Sequence, residues 1–270
     1  MMLPDLTQVT QGVKYVAQHE IAPRFNHIGF SIKTDGSVVT EADLACHQAL
    51  ECLLAQAYPA IAFLSEEMST QEQQQLLATS EWLWVLDPLD GTSNFTAGVP
   101  LFCTSLALLH RGEVVQAVTY DVVRDEAFTA QIGQGAYLNG KRLQCECSGL
   151  SLKQSVGIID FKRLPHSLRT HLVNKTPYGS QRNLGTCALE WAWMAAGRGQ
   201  LYLHGGMKLW DLAAGTLLLK EAGGMASTLD GQPISTATVE GQSVIAASDP
   251  CLFAAWQQVI AESATETPHV

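Results

Sequence analysis

The chain has 270 residues, 47% of them hydrophobic, and its 26 acidic side chains outnumber 16 basic ones, giving a formal charge of −10. This hydrophobic content supports a large buried core, which excludes an intrinsically disordered protein. The sequence contains no basic cluster, and direct binding to a nucleic-acid backbone depends on clustered Lys and Arg, so that class is excluded as well.

Apolar segments and cysteines indicate the compartment. No window approaches the roughly 20 uncharged apolar residues of a membrane span, and residues 1–11 lack the basic and apolar regions of a signal peptide. The seven cysteines are scattered, mostly within apolar segments, which predicts buried thiols in a reducing compartment and a cytoplasmic protein. Cys145 and Cys147 form a CxC motif, but no second Cys or His pair has the spacing of a zinc site.

The first elements along the chain are two helices. Apolar residues at helical spacing from Leu6 predict an amphipathic helix that ends near Pro23. A second helix begins after Thr40, whose hydroxyl can cap it, and Asp43 then lies in its first turn. Asp43 is therefore expected at the start of a helix.

Strands follow, and carboxylates stand at the ends of the first two. Short apolar runs at 61–64 and 82–86 predict two strands, each followed directly by acidic residues. Residues 102–143 alternate apolar runs with turn sequences, and Asn139-Gly140 is typical of a type I′ hairpin. We therefore expect an antiparallel meander in this region.

The second half of the chain alternates strands and helices. The predicted elements are a strand at 156–159, a helix at 186–196, a strand at 201–204, a helix from Asp211 to Gly223, a hairpin at Asp230-Gly231 and a last helix capped by Ser248-Asp249-Pro250. This order predicts an α+β fold with an N-terminal lobe over residues 1–148 and a C-terminal lobe over 149–270.

The densest group of polar side chains is the segment DPLDGTSNF at 87–95, directly after a predicted strand. Pro88 fixes the bend between Asp87 and Asp90, and Gly91 allows backbone amides to approach an anion. Converging carboxylates raise each other's pKa unless a cation joins them, and hard oxygen ligands favour Mg²⁺. Taken alone, the segment fits an ordinary turn equally well, because Asp and Gly are common turn residues.

Four motifs together make the chain similar to the inositol monophosphatase family of lithium-sensitive, metal-dependent phosphatases. They are SVVTEAD at 37–43 with Lys33 before it, SEE at 65–67, WVLDPLDGTSNF at 84–95, and WDLAAG at 210–215 with EAGG at 221–224. The resemblance spans nearly the whole chain. It implies a layered α-β-α-β-α sandwich of the inositol monophosphatase/fructose-bisphosphatase type, with the site where the two lobes meet.

The resemblance also implies two or three Mg²⁺ ions. In the family's arrangement, Glu66, Asp87 and the carbonyl of Leu89 would hold a first ion, and Asp87, Asp90 and Asp211 a second. A third, weaker ion would depend on Glu66 and water. Asp87 would then bridge two ions in a two-metal clamp. Considered singly, an acid such as Asp211 in a first helical turn is also explained by the helix dipole.

The groups that act on the substrate follow from the same resemblance. Thr92 and Asp43 would orient the attacking water, and Glu67 would support the site from outside the ligand set. The amides of Gly91 and Thr92 would hold the phosphate. Lys33 would add positive charge nearby, although a solvent-facing lysine is the simpler reading of that residue.

The substrate side is where the sequence departs from the family. The family has an acid seven residues before Asp211, whereas this chain has His204, which cannot accept hydroxyl hydrogen bonds as a carboxylate does. A strand-end histidine satisfied by the backbone explains the same residue equally well. Recognition of inositol itself is therefore in doubt.

A short loop is the second candidate for contact with the substrate. Gly185, Thr186 and Cys187 match the family's substrate-side loop, except that a thiol replaces the usual alanine. Arg182 and Asn183, just before it, are further candidates.

The predicted function is Mg²⁺-dependent hydrolysis of a small phosphate monoester, such as an inositol phosphate or related polyol phosphate. One alternative is the same chemistry on histidinol phosphate, a sugar bisphosphate or a 3′-phosphonucleotide. Another is a protein-partner role in RNA processing or transcription, which the resemblance to some bacterial family members implies. The resemblance also implies a homodimer, with no membrane partner.

Overall fold

The computed structural model describes residues 2–26, 30–32 and 38–265. The α-helices in these ranges are α1 (Leu6–Val16), α2 (Glu41–Ala57), α3 (Thr70–Thr79), α4 (Thr92–Thr96), α5 (His166–Lys175), α6 (Cys187–Ala195), α7 (Leu209–Ala222) and α8 (Pro250–Thr265). The strands of the N-terminal half are β1 (Phe30–Ile32), β2 (Val38–Thr40), β3 (Ala62–Ser65), β4 (Trp82–Asp90), β5 (Cys103–His110), β6 (Glu113–Asp121), β7 (Glu126–Gln131), β8 (Gly135–Leu138) and β9 (Lys141–Leu143). The strands of the C-terminal half are β10 (Val156–Ile159), β11 (Ser180–Arg182), β12 (Leu201–Met207), β13 (Met225–Ser227) and β14 (Gln242–Ala247).

Two helices cover one face of a seven-stranded sheet. The sheet has the order β3-β4-β5-β6-β7-β8-β9, in which β3 and β4 are parallel and every other neighbouring pair is antiparallel. Apolar side chains of α1 and α2, such as Val13 and Leu50, pack with Trp84 and Leu106 of the sheet in one buried cluster. Burial of this stripe stabilises both helices, as expected for amphipathic helices.

A second layer of helices lies between two sheets. The five-stranded sheet has the order β11-β10-β12-β14-β13, and β10 is parallel to both β11 and β12. Helices α6 and α7 carry apolar residues such as Trp191 and Leu218, which join one cluster with Val85 of the large sheet and Tyr202 of the small one. A helix buried on several sides needs this continuous apolar surface.

Helices α5 and α8 close the outer face of the five-stranded sheet. Leu172 of α5 and Trp256 of α8 pack on Leu203 and Ile245 in a third buried cluster. The layers therefore run helix, sheet, helix, sheet, helix, which confirms the predicted α+β sandwich.

Most predicted elements are present, with differences at three places. Helices α3 and α5 were not predicted, and β4 continues to Asp90 instead of ending at 86. Asn139-Gly140 joins β8 to β9 with positive φ at both residues, as predicted. Asp230-Gly231 forms a turn between β13 and β14, which pair antiparallel as the predicted hairpin requires, although their connection is longer than a two-residue turn.

One pair of cysteines differs from the expected thiols. Cys147, in the segment that leads from β9 towards the second sheet, is disulfide-bonded to Cys251 in the first turn of α8. Both residues are exposed, so the prediction of buried thiols is wrong for them. Cys46 and Cys103 are buried and free, as predicted.

Among the described residues, no helix is both long and apolar enough to cross a membrane.

Candidate active site

Three carboxylates from distant parts of the chain meet at one point. Asp87 and Asp90 lie at the end of β4, where the pairing with β5 shifts register between them. Asp211 lies in the first turn of α7, where its carboxylate accepts a hydrogen bond of 2.9 Å from the amide of Lys208. Carboxylate oxygens of all three residues lie within 4.8 Å of one another. The structure therefore brings together three of the four predicted acidic ligands.

The electrostatics of this cluster are unfavourable without a cation. Burial raises the pKa of Asp87 well above its usual value, and the neighbouring charges of Glu66, Asp90 and Asp211 raise it further. Burial and the charge of Asp90 raise the pKa of Asp211 to about 6. Like charges that converge in a buried site repel one another, and a divalent ion relieves that repulsion.

Glu66, the fourth predicted ligand, lies just beyond β3, the parallel neighbour of β4. Its amide donates to the carbonyl of Leu86, and its side chain lines a cavity of about 380 Å³ together with Asp87, Asp90 and Asp211. Glu67 does not line this cavity. It lines an adjoining one of about 500 Å³.

Asp90 joins the end of β4 to the N-terminus of α6. Its Oδ2 accepts hydrogen bonds from the Thr186 hydroxyl and from the amides of Ala188 and Leu189, and Oδ1 accepts from the amide of Cys187 at 3.0 Å. The carboxylate thus caps the N-terminus of α6, where a negative charge is favourable. These bonds lower the pKa of Asp90, but burial dominates and raises it.

The predicted catalytic pair is in contact. Thr92, the first residue of α4, has its Oγ1 3.1 Å from Oδ1 of Asp43 and 2.9 Å from the carbonyl of Leu89. Asp43 caps its own helix by accepting from the amide and hydroxyl of Thr40. Burial raises the pKa of Asp43 to about 6, although the bonds from Thr40 and Thr92 oppose the shift.

The turn between β4 and α4 depends on Gly91. Its φ of 92° lies in the left-handed region, and a Cβ there would approach the carbonyl oxygen of Leu101 to 2.8 Å. Only glycine fits both constraints. The turn places Gly91 and Thr92 on the cavity wall beside the carboxylates, as predicted. The carbonyl of Leu89 also lies in this turn.

The predicted substrate loop is only partly on the wall. Gly185 and Cys187 line the cavity, but Thr186 is 1% exposed and its hydroxyl is bound to Asp90. The predicted contact of Thr186 with the substrate stays a prediction. With its hydroxyl proton donated to Asp90, only the oxygen lone pairs of Thr186 are left for a ligand. Arg182 and Asn183 are not among the residues that line this cavity.

Buried Glu190 holds this loop in place. Its Oε1 accepts from the amides of Leu184 at 2.8 Å and Gly185 at 3.2 Å, and its Oε2 accepts from the Tyr202 hydroxyl at 2.9 Å. Burial raises the pKa of Glu190 to about 7. Glu190 was not predicted as a functional residue, because Glu in a helix is usually a solvent-exposed side chain.

His204 lies behind the wall instead of on it. It is 2% exposed and is not among the residues that line the cavity, whereas the predicted contact with the substrate would require it to face the cavity. Its Nδ1 accepts from the amide of Gly206 at 3.1 Å, so the ring proton is on Nε2 and points to Oδ2 of Asp160 at 3.1 Å. This bond is the main cause of the lowered pKa of Asp160.

Three cations on the cavity wall were also missed. They are Lys162, Arg163 and Lys208. No local motif marks them, since each is a basic residue just after a strand. Lys33, the cation that the sequence did predict, lies outside the described residues.

The donor set fits a hard divalent cation. Carboxylates of Asp87, Asp90, Asp211 and Glu66, with the carbonyl of Leu89, are the oxygen ligands that Mg²⁺ prefers. No described His nitrogen or Cys thiol joins the three converging carboxylates in that cluster. Burial, and after it the charges of the acidic neighbours, raise the pKa of Asp87, and a bound cation would oppose both effects.

Comparison with known proteins agrees with this geometry. The family model described as "Inositol monophosphatase family" matches residues 2–267. The chain is 36% identical to an inositol-1-monophosphatase of Mesorhizobium japonicum, an alignment that covers 74% of this chain and 76% of that protein. It is also 36% identical to the Nus factor SuhB of Pseudomonas aeruginosa, covering 86% of each.

A solved structure shares the whole architecture. The IMPase of Thermotoga maritima superposes with a TM-score of 0.83 at 25% identity, covering 96% of this chain and 97% of that one. The carboxylate cluster, the sandwich that positions it and the match along nearly the full length lead to one conclusion: the chain belongs to the inositol monophosphatase family.

Proposed function

We propose that this protein hydrolyses small phosphate monoesters with two or three bound Mg²⁺ ions. The observation that carries the proposal is the convergence of the Asp87, Asp90 and Asp211 carboxylates within 4.8 Å of one another. Glu66 and the carbonyl of Leu89 complete the ligand set. When bound, the ions lower the pKa of water and offset the negative charge of the phosphoryl group.

In this proposal, Thr92 and Asp43 orient the attacking water and accept its proton. The single hydroxyl proton of Thr92 can be donated to Asp43, which leaves the lone pairs of Oγ1 to accept a hydrogen bond from the attacking water. Asp43 is held by two bonds from Thr40, so the pair is pre-oriented. In this assignment Thr92 aims the water. As the water attacks phosphorus, its proton passes to Thr92 Oγ1 while the hydroxyl proton of Thr92 passes to the Asp43 carboxylate. Glu67 lies beside this site and supports Glu66.

The test is phosphate release from a panel of esters by the full chain. The panel holds inositol 1-phosphate, glycerol 2-phosphate, histidinol phosphate, fructose 1,6-bisphosphate and a 3′-phosphonucleotide, each with Mg²⁺ and with a chelator. We expect turnover that requires Mg²⁺ and is inhibited by Li⁺. Absence of release from every ester would reject the proposal.

A second candidate function is a role as a protein partner in transcription. Its support is the relationship to proteins named Nus factor SuhB, with 36% identity over 86% of the chain in one case. Affinity capture with wild type and an Asp87→Asn variant tests it. Transcription components retained equally by both would support this role, and their absence from both would remove it.

We propose a homodimer from the family resemblance, and a cytoplasmic location because five of the seven cysteines are free. Light scattering during gel filtration gives the mass of the assembly, and the monomer mass would contradict the first part.

A further inference from the structure

Three cations form one side of the cavity, which we name the basic wall: Lys162, Arg163 and Lys208. Lys162 and Arg163 follow β10, and Lys208 follows β12. These strands are parallel neighbours, with Ile159 opposite Leu203. The carboxyl ends of parallel neighbours meet at one edge of a sheet, so the three cations gather there although Arg163 and Lys208 are far apart in sequence.

Local packing holds Arg163 against the end of β12. Its Nη1 donates to the carbonyl of Gly206 at 2.7 Å. A Cβ built on Gly205 would collide with the carbonyl oxygen of Arg163, so glycine at this position lets the two backbones touch. Within the described part of the chain, no ion pair joins Lys162, Arg163 or Lys208 to a carboxylate. The positive charges of the wall are therefore available to a ligand.

Asp160, an acid close to the basic wall, already accepts hydrogen bonds from other residues. Asp160 accepts from His204 Nε2 at 3.1 Å and from the amide of Lys162 at 2.7 Å, and it does not line the cavity. Both ring nitrogens of His204 are used, one by Gly206 and the other by Asp160. The basic wall thus presents donors and positive charge where a carboxylate would accept bonds from neutral hydroxyl groups.

The charge balance of the cavity favours an additional anion. Four carboxylates line it, and two divalent ions would neutralise them. A phosphate monoester carries close to two negative charges at neutral pH. That phosphate would lie on the side of the metal ligands. The basic wall carries three positive charges against the one ionised carboxylate beside it, Asp160, so a negative group on the alcohol part of the substrate would offset the net positive charge of the wall.

We propose that the alcohol part of the substrate carries a second anionic group, a carboxylate or a phosphate, which Arg163 and Lys162 bind. This inference rests on the proposed phosphatase function and names its substrate class. Arg163 is the stronger contributor, because a guanidinium can bind either group through two parallel hydrogen bonds.

The experiment compares matched substrates with the full chain and Mg²⁺. Glycerol 2-phosphate and glycerate 2-phosphate differ by one carboxylate, and inositol 1-phosphate and inositol 1,4-bisphosphate differ by one phosphate. The readout is the ratio of kcat/KM for the member with the extra anionic group over the member without it. We expect a ratio of about ten or more in at least one pair, as a charge-assisted hydrogen bond would give.

Variants of the basic wall test whether its residues cause the higher kcat/KM ratio. Arg163→Gln should lower the ratio about ten-fold, and Lys162→Gln should lower it less. Arg163→Lys should retain only part of the ratio, because an ammonium keeps the charge but cannot form the two parallel hydrogen bonds. Lys141→Gln, an equal charge change on an exposed hairpin, is the control and should leave the ratio unchanged. Thermal unfolding confirms that each variant is folded.

Two results separate the possible failures. If no ester releases phosphate, the proposed function itself fails. If esters are hydrolysed but both wild-type ratios are near one, or Arg163→Gln slows both members of a pair equally, the proposed substrate class is wrong.

Discussion

The two sides of the cavity differ in how their side chains are held. On the acidic side, Asp87 and Asp90 come from one turn at the end of β4, and their positions follow from local backbone geometry. On the basic wall, Arg163 and Lys208 follow separate strands, and their proximity depends on the order of the five-stranded sheet. The difference suggests that the chemistry is fixed by a compact motif, whereas substrate choice can change with single residues on the other side.

The largest expected effect is on the acidic side. Asp87→Asn should lower turnover on the order of 10³-fold or more, because the residue would contact two ions whose charge stabilisation contributes several kcal/mol. Phosphate release and calorimetric titration with Mg²⁺ measure the two consequences. Asp230→Asn, on an exposed turn, is the matched control. Unchanged Mg²⁺ affinity in Asp87→Asn would contradict its role as a ligand.

The buried carboxyls on the acidic side of the cavity predict that the metal-free protein loses stability as the pH rises. Asp43 and Asp211 both have a folded pKa of about 6, above their usual value of 3.8, chiefly because of burial. Their stabilising contribution is full below about pH 4 and is lost as the pH rises through 6. For Asp43 the shift corresponds to about 3 kcal/mol. The metal-free protein should therefore be less stable at pH 7.5 than at pH 5.

Thermal unfolding with a chelator and with Mg²⁺ checks this prediction. Mg²⁺ should raise the Tm at pH 7.5 and have little effect at pH 5, where protons compete for the ligands. Carboxyls with a lowered pKa, such as Asp160, act in the opposite direction but are already ionised over this range. If the Tm of the metal-free protein rises from pH 5 to pH 7.5, ionisation of the buried carboxyls does not destabilise the fold, and the prediction is wrong.

A smaller effect is expected for the residue that orients water. Thr92→Ala should slow turnover about 10²-fold while Mg²⁺ binding is retained, since its hydroxyl contacts Asp43 and not the converging carboxylates. Thr92→Ser keeps the hydroxyl and should recover most of the rate. Equal loss in both variants would indicate that packing, and not the hydroxyl, is what matters at this position.

The acidic side was predictable from sequence and the basic wall was not, for a physical reason. Asp87 and Asp90 lie three residues apart at the irregular end of β4, so their spacing alone brings them together. The contact between Asp160 and His204 requires knowing that β10 and β12 are parallel neighbours, which no local pattern encodes. His204 could be read from sequence only as a departure from the family.

The fold shows the same limit. Strongly apolar segments such as β4 and α7 were predicted, because their high content of apolar residues indicates that they are buried. Helices α3 and α5 were missed, since both are polar and offer little apolar periodicity. The disulfide between Cys147 and Cys251 joins residues 104 positions apart, and pairing over that distance is decided by the folded chain.

The smallest expected effect concerns the loop that borders the basic wall. Glu190→Ala should raise KM a few-fold and leave kcat nearly unchanged, because it removes the oxygen that accepts from both loop amides as well as the one that accepts from Tyr202. The loss should be about 1 kcal/mol, typical of a lost hydrogen bond. Tyr202→Phe removes the hydroxyl bond alone and leaves both loop amides bound to Glu190. If Tyr202→Phe raised KM as much as Glu190→Ala, the loop would not be held by the carboxylate, and substrate binding would depend on the packing of β12 instead.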